Sequence, residues 1–274
     1  MQGKIIKNIS NKYSVLGSDN NIYQCIPRGK FRNLKITPLV GDEVDFDNVN
    51  NYILEIKERR NELYRPMISN VDVGVILTSL KGPDLSLLLL DKQLSFLIIN
   101  NIEPVIIFSK LDLVSDLTEV NSLRKYYESI GIQVFYNNEL DDIKAYLRGK
   151  EVVITGQTGA GKSTLINKLG NLSIETNEIS HALGRGKHTT RHVEIYDVDG
   201  VKIADTPGFS ALELSTYSKD DIKNSFIEFR NSSCRFKDCM HLKEIDCSIK
   251  DKVERNEIIA SRYSNYEKII SEVK

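Results

Sequence analysis

The segment Glu151-Val-Val-Ile-Thr-Gly156-Gln-Thr-Gly-Ala-Gly161-Lys162-Ser163-Thr164-Leu165-Ile166 has three parts: an apolar run, a G-x-x-x-x-G-K-S loop and the start of a helical pattern. In this order they predict a phosphate-binding loop between a strand and a helix. Backbone N–H groups and the positive end of the helix dipole would surround a phosphate. The residues expected to bind nucleotide here are Gly156, Gln157, Thr158, Gly159, Ala160, Gly161, Lys162, Ser163 and Thr164.

Two side chains of this loop are expected to have roles of their own. Lys162 reaches the β- and γ-phosphates, and the Ser163 hydroxyl contacts Mg²⁺. The alternative is a glycine-rich turn whose lysine is simply solvated. The strand before the loop and the helix after it favour nucleotide binding.

The composition of the whole chain indicates a protein of two or three domains. It has 274 residues, 41% of them hydrophobic, and a net charge of −1, so any contact with RNA requires local basic patches. The longest apolar stretch, Leu85–Asn101, is interrupted by Asp91, Lys92 and Gln93 and fits a buried helix better than a membrane span. We expect a cytoplasmic monomer with no membrane partner.

The first 65 residues contain short runs of alternating polar and apolar residues separated by turn signals. This pattern predicts five strands and a small barrel such as the oligonucleotide-binding (OB) fold. The basic segment Arg28–Lys35, with one aromatic residue, is either an RNA-facing loop or an ordinary solvated loop. The predicted strands are Gly3–Ile9, Lys12–Leu16, Ile22–Pro27, Glu43–Asp47 and Tyr52–Ile56.

After a polar linker, Lys57–Pro66, strands and helices alternate, which predicts a parallel sheet with helices on both faces. The expected strands are Val71–Thr78, Val105–Phe108, Gln133–Tyr136, Glu151–Thr155, His192–Asp197 and Lys202–Asp205, and the expected helices are Asp84–Asn100, Asp116–Ile130 and Leu140–Leu147. Beyond residue 217 the pattern is helical, with helices at Lys219–Arg230 and within Ile249–Ile270. The predicted domains are therefore residues 1–65, 66–216 and 217–274.

Two further motifs favour guanine nucleotide. Asp205-Thr-Pro-Gly208 fits the D-x-x-G pattern, in which the aspartate holds Mg²⁺ through water and the glycine N–H binds the γ-phosphate. Ser109-Lys110-Leu111-Asp112 resembles N-K-x-D, with Ser109 in place of the usual asparagine. The Asp112 carboxylate can accept two hydrogen bonds from guanine, a pair that adenine does not offer. A lone K-x-D can also be a surface charge pair.

The order of these motifs is unusual, because Ser109–Asp112 precedes the phosphate loop instead of following it. Circular permutation is compatible with one binding site, since binding loops need only meet at the carboxyl ends of the strands. Between the phosphate loop and Asp205 lies Gly184-Arg-Gly-Lys-His188-Thr189-Thr190, a candidate switch segment. Thr189 or Thr190 can complete Mg²⁺ coordination when the γ-phosphate is present.

Three of the four cysteines lie close together near the C-terminus, around a histidine, in the pattern Cys-x₄-Cys-x-His-x₅-Cys. A Cys₃His set suits one structural Zn²⁺ with four protein ligands. The alternative is three unrelated thiols. Basic residues nearby either meet phosphate or form a solvated face. The candidate ligands are Cys234, Cys239, His241 and Cys247.

Taken together, these motifs resemble the ribosome small-subunit-dependent GTPases (the RsgA/YjeQ family) over nearly the whole chain. Further matching segments are Gly41-Asp-Glu-Val44, Arg60-Asn-Glu-Leu63-Tyr-Arg-Pro66 and Asn70-Val-Asp72. The resemblance implies an α/β, circularly permuted P-loop GTPase domain with an N-terminal OB-fold β-barrel and a C-terminal α-helical zinc-binding domain. It also implies GTP hydrolysis to GDP and phosphate, stimulated by the small ribosomal subunit and its rRNA, late in subunit maturation. The implied cofactors are GTP/GDP, Mg²⁺ and one structural Zn²⁺.

The catalytic group is less clear from the sequence. Phe209 occupies the position after D-x-x-G where Ras-like enzymes have a water-orienting glutamine. His188, which the resemblance places in the switch, is the candidate, because an imidazole can accept a water proton near neutral pH. Alternatively, His188 contacts backbone or RNA. Two rival functions stay open: an RNA-binding module with a structural nucleotide, and a nucleotide kinase.

Overall fold

The computed structural model describes residues 1–64, 66–170, 193–205 and 214–273, with backbone alone at Arg32 and Asp205. These residues belong to two compact units. The first unit takes its described residues from Met1–Val75, Asn138–Ile154 and Gly161–Phe209, and the second from Ile76–Asn137, Thr155–Ala160 and Ser210–Lys274.

The first unit begins with a closed barrel of five strands, as predicted. Its interior holds alternate residues of each strand, including Tyr13, Phe46 and Cys25, all at most 1% exposed. The strands pair in the order β1-β2-β3-β5-β4, and β4 returns to β1. All these pairs are antiparallel except β3–β5. Their bounds are β1 Gln2–Ile9, β2 Lys12–Gly17, β3 Ile22–Pro27, β4 Glu43–Asp47 and β5 Tyr52–Ile56.

The basic segment after β3 is not the loop that the sequence predicted. Helix α1 spans Gly29–Asn33, and its aromatic residue, Phe31, is only 5% exposed. The apolar ring is therefore buried and not presented on a loop surface. Lys30 lies alongside the same ring, with its ammonium 5.5 Å from the ring centroid.

The predicted linker, Lys57–Pro66, also contains structure. Strand β6 (Glu62–Tyr64) forms a hairpin with β7 (Met67–Ser69). The segment before it is fixed by Arg59, whose guanidinium donates to both oxygens of the fully buried Asp42 carboxylate at 2.7 and 2.8 Å. Polar linker residues are ordered here because buried partners elsewhere in the chain satisfy them.

The rest of the first unit is a mixed sheet, which corrects the prediction of a parallel one. Strand β11 (Glu151–Thr155) pairs in parallel with β13 (Val201–Asp205), but β12 (Glu194–Val198) is antiparallel to β13. Strand β12 also pairs antiparallel with β1, so the barrel and this sheet are continuous. Helices α4 (Leu140–Leu147) and α5 (Lys162–Leu169) also belong to the described part of this unit.

In the second unit, strands β10, β9 and β8 lie side by side in that order, and β10 is parallel to β9. Its central helix, α2, starts after the Ser86 cap, which accepts a hydrogen bond from Leu89 N–H. None of the helices among the described residues is long and apolar enough to cross a membrane. The bounds are β8 Val73–Ser79 (in this unit from Ile76), β9 Glu103–Ser109, β10 Gln133–Tyr136, α2 Leu87–Ile99 and α3 Thr118–Ser129.

The C-terminal part of the second unit is helical, but its helices are shorter than predicted. Helix α6 spans Lys219–Ser225, and a separate 3-10 turn follows at Ile227–Phe229. The segment predicted as one helix to residue 270 contains two, α7 (Ser248–Glu254) and α8 (Ala260–Ser271). Asn256, in the left-handed conformation at φ 58°, separates them.

Candidate functional site

The first half of the phosphate loop lies in the second unit. Gly156 has φ 146°, and a Cβ there would come 2.2 Å from the Leu77 carbonyl oxygen of β8. Only glycine fits this position, since any side chain would collide with backbone. Gly159 is also left-handed, at φ 83°. The fully buried Ala160 closes the turn by donating its N–H to the Gln157 carbonyl at 3.1 Å.

The second half of the loop lies in the first unit, where α5 begins. Gly161 precedes the helix in a left-handed conformation at φ 99°, and the helix starts at Lys162, Ser163 and Thr164. Because Gly161 has no side chain, it does not cap the N–H groups of the first turn, which suits an anion. Burial lowers the pKa of the Lys162 ammonium, because it disfavours the charged form.

The second unit also brings the guanine motif to the phosphate loop. Ser109, the last residue of β9, is 3% exposed, and its hydroxyl donates to the Ala160 carbonyl at 2.7 Å. The serine that replaces asparagine therefore makes a direct contact with the loop. Asp112 follows in a 3-10 turn with an exposed side chain. Lys110 is left-handed at φ 61°, and its ammonium contacts the Gly82 carbonyl.

Other predicted site residues fall elsewhere. The backbone of Asp205 ends β13, so the D-x-x-G motif follows a strand, as the sequence predicted. The catalytic candidate, His188, lies outside the described residues, and so do Thr189, Thr190, Gly208 and Phe209.

The Cys/His cluster has the geometry of a tetrahedral zinc site. The ligand atoms of Cys234, Cys239, His241 and Cys247 all lie within 4.8 Å of one another. A Zn²⁺ ion bound at usual lengths would separate sulfur atoms by about 3.8 Å and sulfur from nitrogen by about 3.6 Å. The Cys234 and Cys247 sulfurs are 3.9 Å apart, and His241 Nδ1 lies 3.5 and 3.4 Å from them. The residues fit the metal.

The pKa shifts of two of the four candidate ligands suit a metal, whereas burial raises the pKa of the Cys239 thiol to about 12. Burial raises the pKa of the Cys234 thiol, but hydrogen bonds with Ser248 outweigh it and bring the pKa down to about 7. Burial lowers the pKa of His241, which keeps the imidazole neutral. A thiolate and a neutral imidazole are the forms that bind Zn²⁺.

The loop that carries His241 is held by the last helix. Tyr263 of α8 donates to the His241 carbonyl at 2.7 Å, and Tyr266 donates to the Met240 carbonyl. Phe229 packs edge-on against the His241 ring with centroids 5.3 Å apart. The basic residue next to Cys234, Arg235, pairs with Asp246, and both side chains are more than 60% exposed.

Comparison with known proteins assigns the chain to a family. A family model described as RsgA GTPase matches residues 56–215, and a second, described as RsgA N-terminal domain, matches residues 2–53. The chain belongs to the RsgA GTPase family. It is therefore a GTP-hydrolysing enzyme, as the motifs predicted, and guanine nucleotide and Mg²⁺ are its family's ligands.

Relatives of the RsgA family match along the whole chain. A protein from Listeria innocua is 43% identical over 285 residues, covering 100% of this chain and 98% of its own. A protein from Bacillus velezensis is 44% identical over 288 residues, covering 100% of this chain and 97% of its own. Both carry the name small ribosomal subunit biogenesis GTPase.

Two solved structures share the fold. YloQ, a circularly permuted GTPase, has a TM-score of 0.83 and 36% identity, covering 99% of this chain and 94% of that one. YjeQ from Thermotoga maritima has a TM-score of 0.87 and 30% identity, with coverages of 99% and 97%. The predicted fold class, a permuted GTPase with an N-terminal barrel and a C-terminal helical region bearing a Cys/His cluster, is confirmed.

One residue beside the RsgA phosphate loop was not predicted as part of the site. Gln93 of α2 donates through Nε2 to the Thr155 hydroxyl at 2.9 Å, and both residues are buried. Thr155 directly precedes Gly156. The available sequence signal was the polar interruption of the apolar run, which was read only as an argument against a membrane span.

Proposed function

We propose that this protein hydrolyses GTP to GDP and phosphate during late maturation of the small ribosomal subunit, and that the subunit stimulates the reaction. Full-length similarity to proteins named small ribosomal subunit biogenesis GTPase supports this most strongly. The hydrogen bond between Ser109 and Ala160 supports a shared site for the guanine motif and the phosphate loop. Its partner is the subunit with its rRNA, and it acts as a cytoplasmic monomer with domain boundaries near residues 65 and 216.

The proposed nucleotide site is built from four segments: Ser109–Asp112, Gly156–Thr164, Thr189–Thr190 and Asp205–Gly208. Asp112 accepts the guanine N1–H and 2-amino protons, and Lys110 covers the base. Backbone N–H groups of Gly156–Ser163 bind the phosphates, and Lys162 neutralises their charge. Ser163, Asp205 and Thr189 or Thr190 hold Mg²⁺, which neutralises charge on the β- and γ-oxygens when bound, while Thr164 and Gly208 complete the phosphate contacts.

The attacking water requires a group other than Phe209, whose side chain cannot accept a proton. We assign that role to His188, which accepts a proton from the water in the subunit-bound enzyme. His188→Ala should lower the subunit-stimulated rate while GTP binding stays at the wild-type level. A stimulated rate equal to that of the wild type would remove His188 from the mechanism.

The zinc ion is proposed as a structural one. The four clustered side chains would fill all four positions of a tetrahedral Zn²⁺ and would leave none for a reacting water. Its role is to fold the loop between α6 and α7, which has no regular secondary structure apart from the 3-10 turn Ile227–Phe229.

A turnover assay with purified small subunits tests the proposal. The wild-type protein should hydrolyse GTP in preference to ATP, and small subunits should raise the rate. Lys162→Ala should abolish turnover, while the matched Lys168→Ala, in the last turn of α5, should retain it. Absence of stimulation would favour the RNA-binding module with a structural nucleotide, and preference for ATP would favour a kinase.

A further inference from the structure

Helix α2 of the second unit carries buried polar side chains on opposite sides. Asp91 is fully buried and Gln93 is 2% exposed. A separation of two positions in an α-helix corresponds to a rotation of about 200°, so these two side chains point in nearly opposite directions. The apolar residues around them are buried as well, Leu90, Leu94 and Leu97 at 1% exposure or less. The helix is therefore enclosed, and each polar group requires a partner in the layer that it faces.

On one side, α2 holds the start of the phosphate loop. The Gln93 amide donates to the Thr155 hydroxyl at 2.9 Å. Thr155 is followed by Gly156, whose backbone lies so close to Leu77 that it tolerates no side chain. A shift of Gln93 would thus reach the loop directly, because the buried amide loses a hydrogen bond unless Thr155 moves with it.

On the other side, α2 is bound to the C-terminal helices. The Asp91 carboxylate accepts from Arg262 Nη1 at 2.6 Å, from Asn265 Nδ2 at 2.7 Å and from the Tyr127 hydroxyl at 2.9 Å. The Arg262 side chain is fully buried and also donates through Nε to Glu228 at 2.8 Å. Separating these groups would leave unpaired charge in the interior, so α8 and α2 must move together.

The same helix, α8, reaches the zinc loop. Arg262 is followed by Tyr263, which donates to the His241 carbonyl at 2.7 Å, and one turn further Tyr266 donates to the Met240 carbonyl. Direct contacts within the second unit therefore run from the metal ligands through α8 and α2 to the residue before Gly156.

We propose that Gln93 is a positioning residue for the phosphate loop, and that α2 couples this loop to the zinc-bearing C-terminal region through Asp91 and Arg262. A partner that moves α8 changes the position of α2, and Gln93 passes that change to Thr155. The inference rests on the proposed function in one respect: the small subunit is the partner that moves α8.

Three variants on or beside α2 test the two halves of this proposal. Gln93→Met keeps the length of the side chain and removes the hydrogen bond. Asp91→Asn keeps the shape of the side chain but removes its charge. Glu228 still neutralises Arg262, and the link between α2 and α8 is weakened. Ser95→Ala is the matched control, since Ser95 is fully buried on the same helix and its hydroxyl has no hydrogen-bond partner in the described part of the chain.

We expect Gln93→Met to lower the basal kcat for GTP about tenfold, which corresponds to about 1.4 kcal/mol of transition-state stabilisation, and to lose most of the stimulation by subunits. Asp91→Asn should keep the basal rate and lose most of the stimulation by subunits. In the double variant the stimulation ratio should fall no further than in Asp91→Asn, because both residues act along one route. Ser95→Ala should match the wild type in every measurement.

Hydrogen–deuterium exchange without ribosomes separates this inference from the proposed function. In Asp91→Asn the amides of Gly156–Ala160 should exchange faster than in Ser95→Ala, whether or not subunits stimulate the wild type. Wild-type exchange there would overturn the coupling, and wild-type kcat in Gln93→Met would overturn the positioning role. If Asp91→Asn does not fold, Asn265→Ala removes one hydrogen bond to Asp91 without stranding a charge, and should show a smaller effect of the same sign.

Discussion

Replacement of Gly156 by alanine tests the geometry of the phosphate loop. The new Cβ would lie 2.2 Å from the Leu77 carbonyl oxygen, at a backbone φ of 146°. Carbon and oxygen atoms in close contact are normally about 3.3 Å apart, so the loop or β8 must move by about 1 Å. A misplacement of about 1 Å in a catalytic site can cost about 100-fold in rate. We therefore expect Gly156→Ala to lower kcat/KM for GTP about 100-fold.

Gly131→Ala is the matched control for backbone strain. Gly131 has φ 87° and connects α3 to β10, and an added Cβ would meet no atom of the described chain within 4 Å. This variant should lose about 1–2 kcal/mol of stability from the left-handed conformation alone and keep its GTP kinetics. Urea unfolding and steady-state turnover are measured on both proteins. If Gly156→Ala turned over GTP as fast as Gly131→Ala, the close approach to Leu77 would not govern the loop.

Three further predictions concern the base, the metal and the barrel. Asp112→Asn should weaken GTP binding by about 1–3 kcal/mol and strengthen binding of xanthosine triphosphate, whose 2-oxo group can accept a hydrogen bond from the new amide. Competition binding measures both affinities. An unchanged preference for guanine would contradict the role of Asp112. Removal of zinc by a chelator should lower the melting temperature in proportion to the metal lost, and a zinc-free protein with unaltered melting would exclude a structural metal. Arg59→Met should lower the free energy of unfolding in urea by about 3–5 kcal/mol, because the Asp42 carboxylate is left buried without its cation. The control Arg255→Met removes an exposed pair with Glu257 and should lower it by less than about 1 kcal/mol. Equal losses would refute the argument from burial.

The barrel was predictable because its sequence alternates as its strands do. Strands β3, β4 and β5 have the predicted bounds. The hairpin β6–β7 was not predictable from local pattern. Its approach is fixed by Arg59 bonding to Asp42, 17 residues earlier, and a linker-like composition does not reveal such a partner. The mixed sheet was missed for a similar reason, since strand direction depends on pairing and not on alternation.

The phosphate loop and the metal ligands were predictable because the chemistry requires fixed residue types at fixed spacing. The contacts that join segments were not. Ser109 and Ala160 are 51 residues apart, and Gln93 and Thr155 are 62 apart. In the sequence, Ser109 is only a departure from the usual asparagine, whereas in the structure its hydroxyl donates to the carbonyl of Ala160 in the loop. A one-dimensional pattern can mark a residue as exceptional but does not identify its partner.

The buried charges between α2 and α8 require an explanation other than stability. Arg262 with Asp91 and Glu228 takes three charges out of water, and apolar residues of similar volume often serve a core equally well or better, by about 1–4 kcal/mol. Apolar packing would also allow the helices to slide or rotate at small cost, since it has no direction. The Arg262 guanidinium, bonded to Asp91 of α2 through Nη1 and to Glu228 of the 3-10 turn through Nε, fixes the rotation and register of α8 against both elements. Such a directional link would allow a displacement of the zinc loop to be transmitted through α8 and α2 to Thr155.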